Sequence, residues 1–141
     1  MAATVGIVLA LAAAQFARRS GLDRDRAFYA TIVIVVASYY VLFASMAGSF
    51  ETIAIEATVM AGFTAAAVIG FKSSPWIVAA ALFGHGVFDA AHGLLIENTG
   101  MPSWWPWFCG SYDVTAALAL AWSMRAQLTA SYATRSAGHA R

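Results

Sequence analysis

Charged residues are scarce in this sequence. Of its 141 residues only 11% are charged, whereas 61% are hydrophobic, and the mean hydropathy is +0.71. A soluble domain usually carries about 25% charged residues, because a short chain has much surface to cover for its volume. The composition therefore excludes an ordinary soluble enzyme and indicates a protein whose solvent is lipid.

Cysteine, lysine and a strong net charge are also lacking. The sequence has one cysteine, Cys109, one lysine, Lys72, and a formal net charge of +1. A single cysteine excludes an intrachain disulfide framework and the paired-cysteine zinc modules. The lysine follows an apolar stretch instead of lying within it, which argues against a retinal Schiff base. The small net charge gives no basic face for nucleic acid, and no Gly-rich nucleotide fingerprint occurs.

Five apolar stretches are long enough to cross a bilayer, which takes roughly 20 mostly apolar residues. They are Met1–Ala17, Ala27–Ala47, Thr52–Phe71, Pro75–Ile96 and Trp105–Met124. Hydrocarbon offers no hydrogen-bond partner to an open backbone, so each stretch predicts an α-helix. We expect an all-α integral membrane protein, with a five-transmembrane-helix bundle over residues 1–125. Residues 126–141 are polar and small, and they predict a disordered cytoplasmic tail.

The basic residues predict the orientation of the bundle. With alternating topology, all eight fall on one side of the membrane: Arg18, Arg19, Arg24, Arg26, Lys72, Arg125, Arg135 and Arg141. The positive-inside rule makes that side cytoplasmic, so we expect an N-out/C-in protein, with the connections near Ser49 and Asn98 outside. Size and composition are typical of a bacterial inner-membrane protein. Small residues one turn apart, such as Ala80 and Gly84, favour close helix packing within one chain or in a homo-oligomer.

The ionisable residues inside the apolar stretches identify a candidate site. They are Glu56 in the third stretch, His85, Asp89 and His92 in the fourth, and Asp113 in the fifth. A charged carboxylate near the middle of a membrane helix costs on the order of 2.5–3.5 kcal/mol, so these carboxylates need partners. At about 100° per residue, His85, Asp89 and His92 share one helix face. Antiparallel neighbours bring Glu56 and Asp113 to the depth of that face.

Three further residues reach a similar depth. Cys109 lies one turn before Asp113 and on the same helix face, which makes it a candidate additional ligand. Tyr39 and Tyr40 are adjacent in the second stretch, so only one of them can face the interior of the bundle. We expect that tyrosine to contact the candidate site.

Imidazoles beside carboxylates match the ligand set of a divalent transition metal, zinc or iron. We predict His85, Asp89 and His92 as ligands on successive turns, as helical metal sites require. Glu56 and Asp113 would serve as general base or as hydrogen-bond partner to a histidine. The leading hypothesis is a metal-dependent enzyme whose substrate, a lipid, isoprenoid or quinone, enters laterally from the surrounding membrane lipids.

Two other functions use the same residues. A proton-linked carrier or small-ligand-binding membrane protein would exchange protons among the carboxylates and histidines without a metal. An accessory subunit of a membrane complex would use the same side chains as a hydrogen-bond network that fixes helix packing. A bis-histidine haem within one chain is excluded, because His85 and His92 project from one face of one helix and cannot bind opposite sides of an iron.

Overall fold

The computed structural model describes residues 1–25 and 27–139 and contains helices without any strand in those ranges. A short 3₁₀ turn at Leu22–Arg24 follows the first of five α-helices. In chain order these are α1 (Ala2–Ser20), α2 (Ala27–Ala47), α3 (Phe50–Lys72), α4 (Pro75–Leu95) and α5 (Trp105–His139). The predicted all-α fold class is confirmed.

Four of the helices, α1 to α4, are long and apolar enough to cross a membrane. They have 19 to 23 residues, which at 1.5 Å per residue gives about 29–35 Å and matches a hydrocarbon core of about 30 Å. The length and composition of these four helices therefore indicate a membrane protein. Ser49 and Ser74 begin α3 and α4 by accepting hydrogen bonds from the backbone N–H groups of Thr52 and Trp76.

Helix α5 is longer than the apolar stretch that predicts it. Its helical backbone continues to His139, into the segment that the sequence assigns to a polar tail over 126–141. The disorder of that tail stays a prediction. Its last two residues lie outside the described residues, as does Arg26 in the first connection.

The helices form a bundle in which α5 packs on α1 and α4, and α3 packs on α2 and α4. Helix α2 also contacts α4. We call the end of the bundle near residues 48–49 and 96–104 the upper end and the opposite end the lower end. The lower half holds an apolar core that includes Ala10, Tyr29, Val33, Val78, Leu82, Leu120 and Met124. The buried ionisable side chains lie in the upper half.

Helices α4 and α5 approach each other closely at two glycines. A Cβ atom added at Gly86 would lie 2.9 Å from the carbonyl oxygen of Gly110 and 3.4 Å from the Cβ atom of Asp113. A Cβ atom at Gly110 would lie 3.2 Å from the Cβ atom of Asp89. Small residues permit such an approach between membrane helices. Because the two glycines have no side chains, α4 and α5 approach closely enough to bring Asp89 and Asp113 together.

We predict that Gly86→Ala lowers the free energy of unfolding by about 1–3 kcal/mol, because the new methyl group overlaps Val114 and the backbone of α5. Gly84→Ala is the matched control on the same helix, since a Cβ atom there meets no other atom within 4 Å. The control should be neutral or stabilising by up to about 1 kcal/mol, the helix-propensity difference. Thermal unfolding of detergent-purified protein, followed by circular dichroism, measures both. Equal stabilities of the two variants would contradict the close approach.

Candidate metal centre

Four buried side chains in the upper half could hold a metal ion. We call them the metal group: His85 and Asp89 of α4, and Cys109 and Asp113 of α5. Each offers one ligand atom, and the four atoms all lie within 4.8 Å of one another. Each helix contributes two residues four positions apart, so both members of a pair lie on one helix face. The two faces meet across the glycine contact.

The imidazole of His85 lies at the centre of the metal group. Its Nδ1 atom is 2.6 Å from Oδ2 of Asp113 and 3.6 Å from Oδ1 of Asp89. The thiol of Cys109 donates a long hydrogen bond of 3.9 Å to the same oxygen of Asp113. A nitrogen, a sulfur and two carboxylates therefore converge in a space that water does not reach.

Two carboxylate oxygens of the metal group lack a hydrogen-bond partner. They are Oδ2 of Asp89 and Oδ1 of Asp113, among the side chains described in residues 1–25 and 27–129. An unpaired carboxylate oxygen in an apolar interior is costly, and buried carboxylates are normally paired or coordinate a metal. Imidazole nitrogen, thiolate sulfur and carboxylate oxygen are all ligands that Zn²⁺ accepts, and iron accepts the same mixture. The residues present thus fit a divalent transition metal.

Tyr40 connects α2 to the metal group. Its hydroxyl donates a 2.6 Å hydrogen bond to Oδ1 of Asp89, which leaves Oδ2 as the unpaired oxygen. Its ring stacks on the ring of His92, with 4.2 Å between the ring centroids and 18° between the planes. The neighbouring Tyr39 is 36% exposed and contacts the ring of Trp105 instead. Of the two tyrosines, Tyr40 is therefore the one at the site.

A second group of buried polar residues lies beside the metal group, and we call it the Glu56 cluster: Glu56, His92 and Asn98. The Nε2 atom of His92 is 2.8 Å from Oε1 of Glu56. The side-chain amide of Asn98 donates to the same oxygen at 2.9 Å and to the backbone carbonyl of Tyr40 at 3.0 Å. Oε2 of Glu56 and Nδ1 of His92 have no hydrogen-bond partner in the described part of the chain.

The structure divides the predicted site residues between these two groups. The sequence assigns His85, Asp89 and His92 to one ligand set, but His92 lies outside the metal group and pairs with Glu56 on α3. Asp113, assigned the role of a base or a partner, lies among the metal-group side chains with Cys109. The reason is the position of the carboxylates on the neighbouring helices, because Asp113 of α5 reaches His85 while Glu56 of α3 reaches His92.

Asn98 is the one site residue that sequence reasoning does not identify. It lies in the connection between α4 and α5 and is 7% exposed. An asparagine in a polar connection carries no periodicity, so nothing in the sequence distinguishes it from an ordinary loop residue. Only the folded chain shows that its amide closes the upper end over Glu56.

No family model matches this chain, and searches of curated proteins and of solved structures found no similar protein. The functional interpretation therefore depends on the geometry of the two groups.

We predict that Asn98→Ala lowers the free energy of unfolding by about 1–3 kcal/mol, because it removes two buried hydrogen bonds and leaves Glu56 with one partner fewer. Thr99→Ala, at an exposed position of the same connection, should change it by less than about 0.5 kcal/mol. Thermal unfolding in detergent compares the two. Equal stabilities of Asn98→Ala and Thr99→Ala would show that the two hydrogen bonds of the Asn98 amide do not stabilise the bundle.

Proposed function

We propose that this protein is a metal-dependent membrane enzyme that acts on a lipid, isoprenoid or quinone dissolved in the bilayer. His85, Asp89, Cys109 and Asp113 would hold one divalent ion, zinc or iron. The observation that carries the proposal is the convergence of these four buried ligand atoms within 4.8 Å of one another. A bound ion of this kind supplies Lewis-acid activation of a coordinated water or substrate oxygen.

The depth of the metal group supports a membrane-dissolved substrate. His85 is the eleventh of the 21 residues of α4, and ten residues at 1.5 Å each place it about 15 Å from the start of that helix. Asp113 is eight residues into α5, about 12 Å from its upper end by the same rise. The metal group therefore lies at the level of the hydrocarbon core. A substrate that is dissolved in the hydrocarbon can reach this depth from the side of the bundle.

Catalysis sets a further requirement on the metal group. Structural zinc sites use four protein ligands, whereas catalytic sites use three and keep one position open. The enzyme proposal therefore requires one of the four side chains to leave the ion when substrate binds, or the ion to accept a fifth ligand. The Tyr40 hydroxyl donates to Oδ1 of Asp89, whereas Oδ2 has no hydrogen-bond partner in the described part of the chain and is free to bind the ion.

We also propose that α5 is a fifth membrane span and that the bundle is N-out/C-in in a bacterial inner membrane. Helix α5 packs on α1 and α4, two helices that are themselves long and apolar enough to span. The lower end carries four basic residues in the last turns of α1 and α3 and in the turn after α1: Arg18, Arg19, Arg24 and Lys72. Residues 48–49 and 96–104, at the upper end, contain no basic residue. The positive-inside rule places the basic end in the cytoplasm.

The Glu56 cluster favours a second candidate function. The Glu56–His92 pair is buried and lies outside the metal group, and each partner keeps one unpaired polar atom within the described residues. Intramembrane Glu and His pairs form proton relays in carriers. Proton-linked carriage would use this pair and would need no ion at the metal group. Metal analysis therefore decides between the two functions.

For the metal, we predict one zinc or iron ion per chain in detergent-purified protein, measured by elemental mass spectrometry. Asp113→Asn and Cys109→Ser each remove a ligand without changing side-chain shape, and each should lower the affinity by more than about 100-fold, since even the partners of ligands are worth 10–100-fold. Glu56→Gln is the matched control, because it makes the same carboxylate-to-amide change outside the metal group.

Two results would overturn the metal proposal: wild-type protein without a stoichiometric ion after incubation with Zn²⁺, or an equal loss of metal in Glu56→Gln and Asp113→Asn. The absorption spectrum of the Co²⁺-substituted protein then tests the enzyme assignment. A fixed four-coordinate spectrum that no added lipid, isoprenoid or quinone changes would make the ion structural. A spectrum that shifts with one of these compounds would identify an exchangeable position.

For the orientation, we predict that Thr99→Cys in intact cells reacts with a membrane-impermeant maleimide, whereas Ser73→Cys reacts only after the cells are opened. Both positions are exposed, at the upper and lower ends respectively. The native Cys109 is 2% exposed, so the parent protein should give little signal in either sample. The reverse pattern would invert the topology, and equal labelling of both positions in intact cells would exclude α4, the helix between them, as a span.

A further inference from the structure

An apolar groove leads from the side of the bundle to the metal group. It is a cavity of about 250 Å³ between α2 and α5, and α1 contributes Leu9 to its margin. Its walls include Ile32 and Val35 of α2 and Tyr112 of α5. Cys109 lies in the wall as well, so one residue belongs both to the cavity and to the metal group. We call it the Cys109 groove.

The groove exists because two helices stay apart. Helix α2 packs mainly on α3 and α5 packs mainly on α1 and α4, and the two helices form opposite walls of the groove. At the upper end the gap is closed by the rings of Tyr39 and Trp105, whose centroids are 4.9 Å apart. Below this contact the groove is open to the side on which lipid would surround the bundle.

The shape of the groove fits an extended hydrocarbon chain. Along α2 it reaches from Thr31 to Tyr39, eight residues or about 12 Å, and along α5 from Trp105 to Tyr112, about 10 Å. It runs along the helices, and membrane helices are tilted by only about 20° from the bilayer normal, the direction that acyl chains follow. No charged residue contributes to its walls.

A residue in the wall at the upper end of the groove carries an unpaired hydrogen-bond donor. The indole N–H of Trp105, a residue of the groove wall, has no hydrogen-bond partner among the residues that the structure describes. Buried indole N–H groups usually have a partner. Trp105 precedes Cys109 by four residues, one helical turn or about 6 Å. A lipid oxygen bound by this N–H would therefore lie about one turn from the metal group.

We propose that the Cys109 groove binds the acyl chain of a membrane lipid, with an ester oxygen of that lipid at Trp105. The chain lies between α2 and α5 and the ester lies near the metal group. That this lipid is the substrate rests on the proposed function, whereas its binding in the groove does not. The contact with the metal group distinguishes this groove from a second apolar cavity of about 340 Å³ between α1, α4 and α5, whose walls include Ile7 and no residue of the metal group.

The test uses full-length protein in nanodiscs of phosphatidylcholine that carries a photoreactive diazirine in one acyl chain. After irradiation, peptide mass spectrometry measures the label on each helix. We expect the label to be concentrated on the groove faces of α2 and α5. Val35→Trp fills the groove from its open side and should lower this label at least tenfold. Thr31→Trp, at the other end of the groove, is a second variant with the same expected effect.

Ile7→Trp is the matched control. Ile7 is 41% exposed and Val35 is 45% exposed, so each substitution places the same ring in a similarly open apolar cavity. The control should leave the label in the Cys109 groove unchanged. Equal labelling of both cavities, or labelling that neither groove variant changes, would overturn the proposal and identify ordinary boundary lipid. Displacement of the label by an added quinone but not by excess phosphatidylcholine, or crosslinks between two chains, would assign the groove to those occupants instead.

The metal content of the same samples separates this inference from the proposed function. A specific label in protein that binds no metal would keep the lipid in the groove and reject the metal-dependent enzyme. One ion per chain with unspecific labelling would keep the metal site and reject the groove assignment. Val35→Trp should retain its metal, which also shows that the variant is folded, because the metal group needs both α4 and α5 in place.

Discussion

Three carboxylates buried among apolar helices have to be compensated by neighbouring side chains, and this requirement organises the upper half of the bundle. Asp113 approaches the imidazole of His85, Asp89 accepts the hydroxyl of Tyr40, and Glu56 meets His92 and the amide of Asn98. Each partner comes from a different helix or connection than its carboxylate. The polar contacts therefore join α2, α3, α4 and α5 to one another, in a setting where apolar side chains gain little by leaving lipid for a neighbouring helix.

The two halves of the bundle differ in composition: the lower half holds the apolar core, and the upper half holds the buried polar groups. In the lower half, the core consists mainly of alanine, valine and leucine side chains and contains no buried carboxylate or histidine among the described residues. In the upper half, the glycine contact allows the backbones of α4 and α5 to approach, and this approach brings the metal-group side chains of the two helices together. Close backbone packing and a buried polar centre thus have the same origin in the sequence: each of the two facing helices carries a glycine near an aspartate.

Most of the fold can be predicted from the sequence, because membrane helices correspond to long apolar stretches with polar ends. The predicted stretch Ala27–Ala47 coincides with α2, and α4 begins at the predicted Pro75 and ends one residue early, at Leu95. Depth can be predicted too, since each residue advances a fixed distance along its helix. The lateral neighbours cannot be predicted in this way, because nothing in the spacing says that His85 pairs with Asp113 of α5 while His92 pairs with Glu56 of α3. The closing amide of Asn98 depends on a loop path that has no periodicity.

Tyr40 of α2 contacts both the metal group and the Glu56 cluster. Its hydroxyl, its ring and its backbone carbonyl bind Asp89, His92 and Asn98 respectively, so one residue is shared by both polar groups. A displacement of α2 along its axis would therefore change contacts in both groups at once. Through this one residue, the position of α2 links Asp89 in the bundle interior to the connection 96–104 at the upper end.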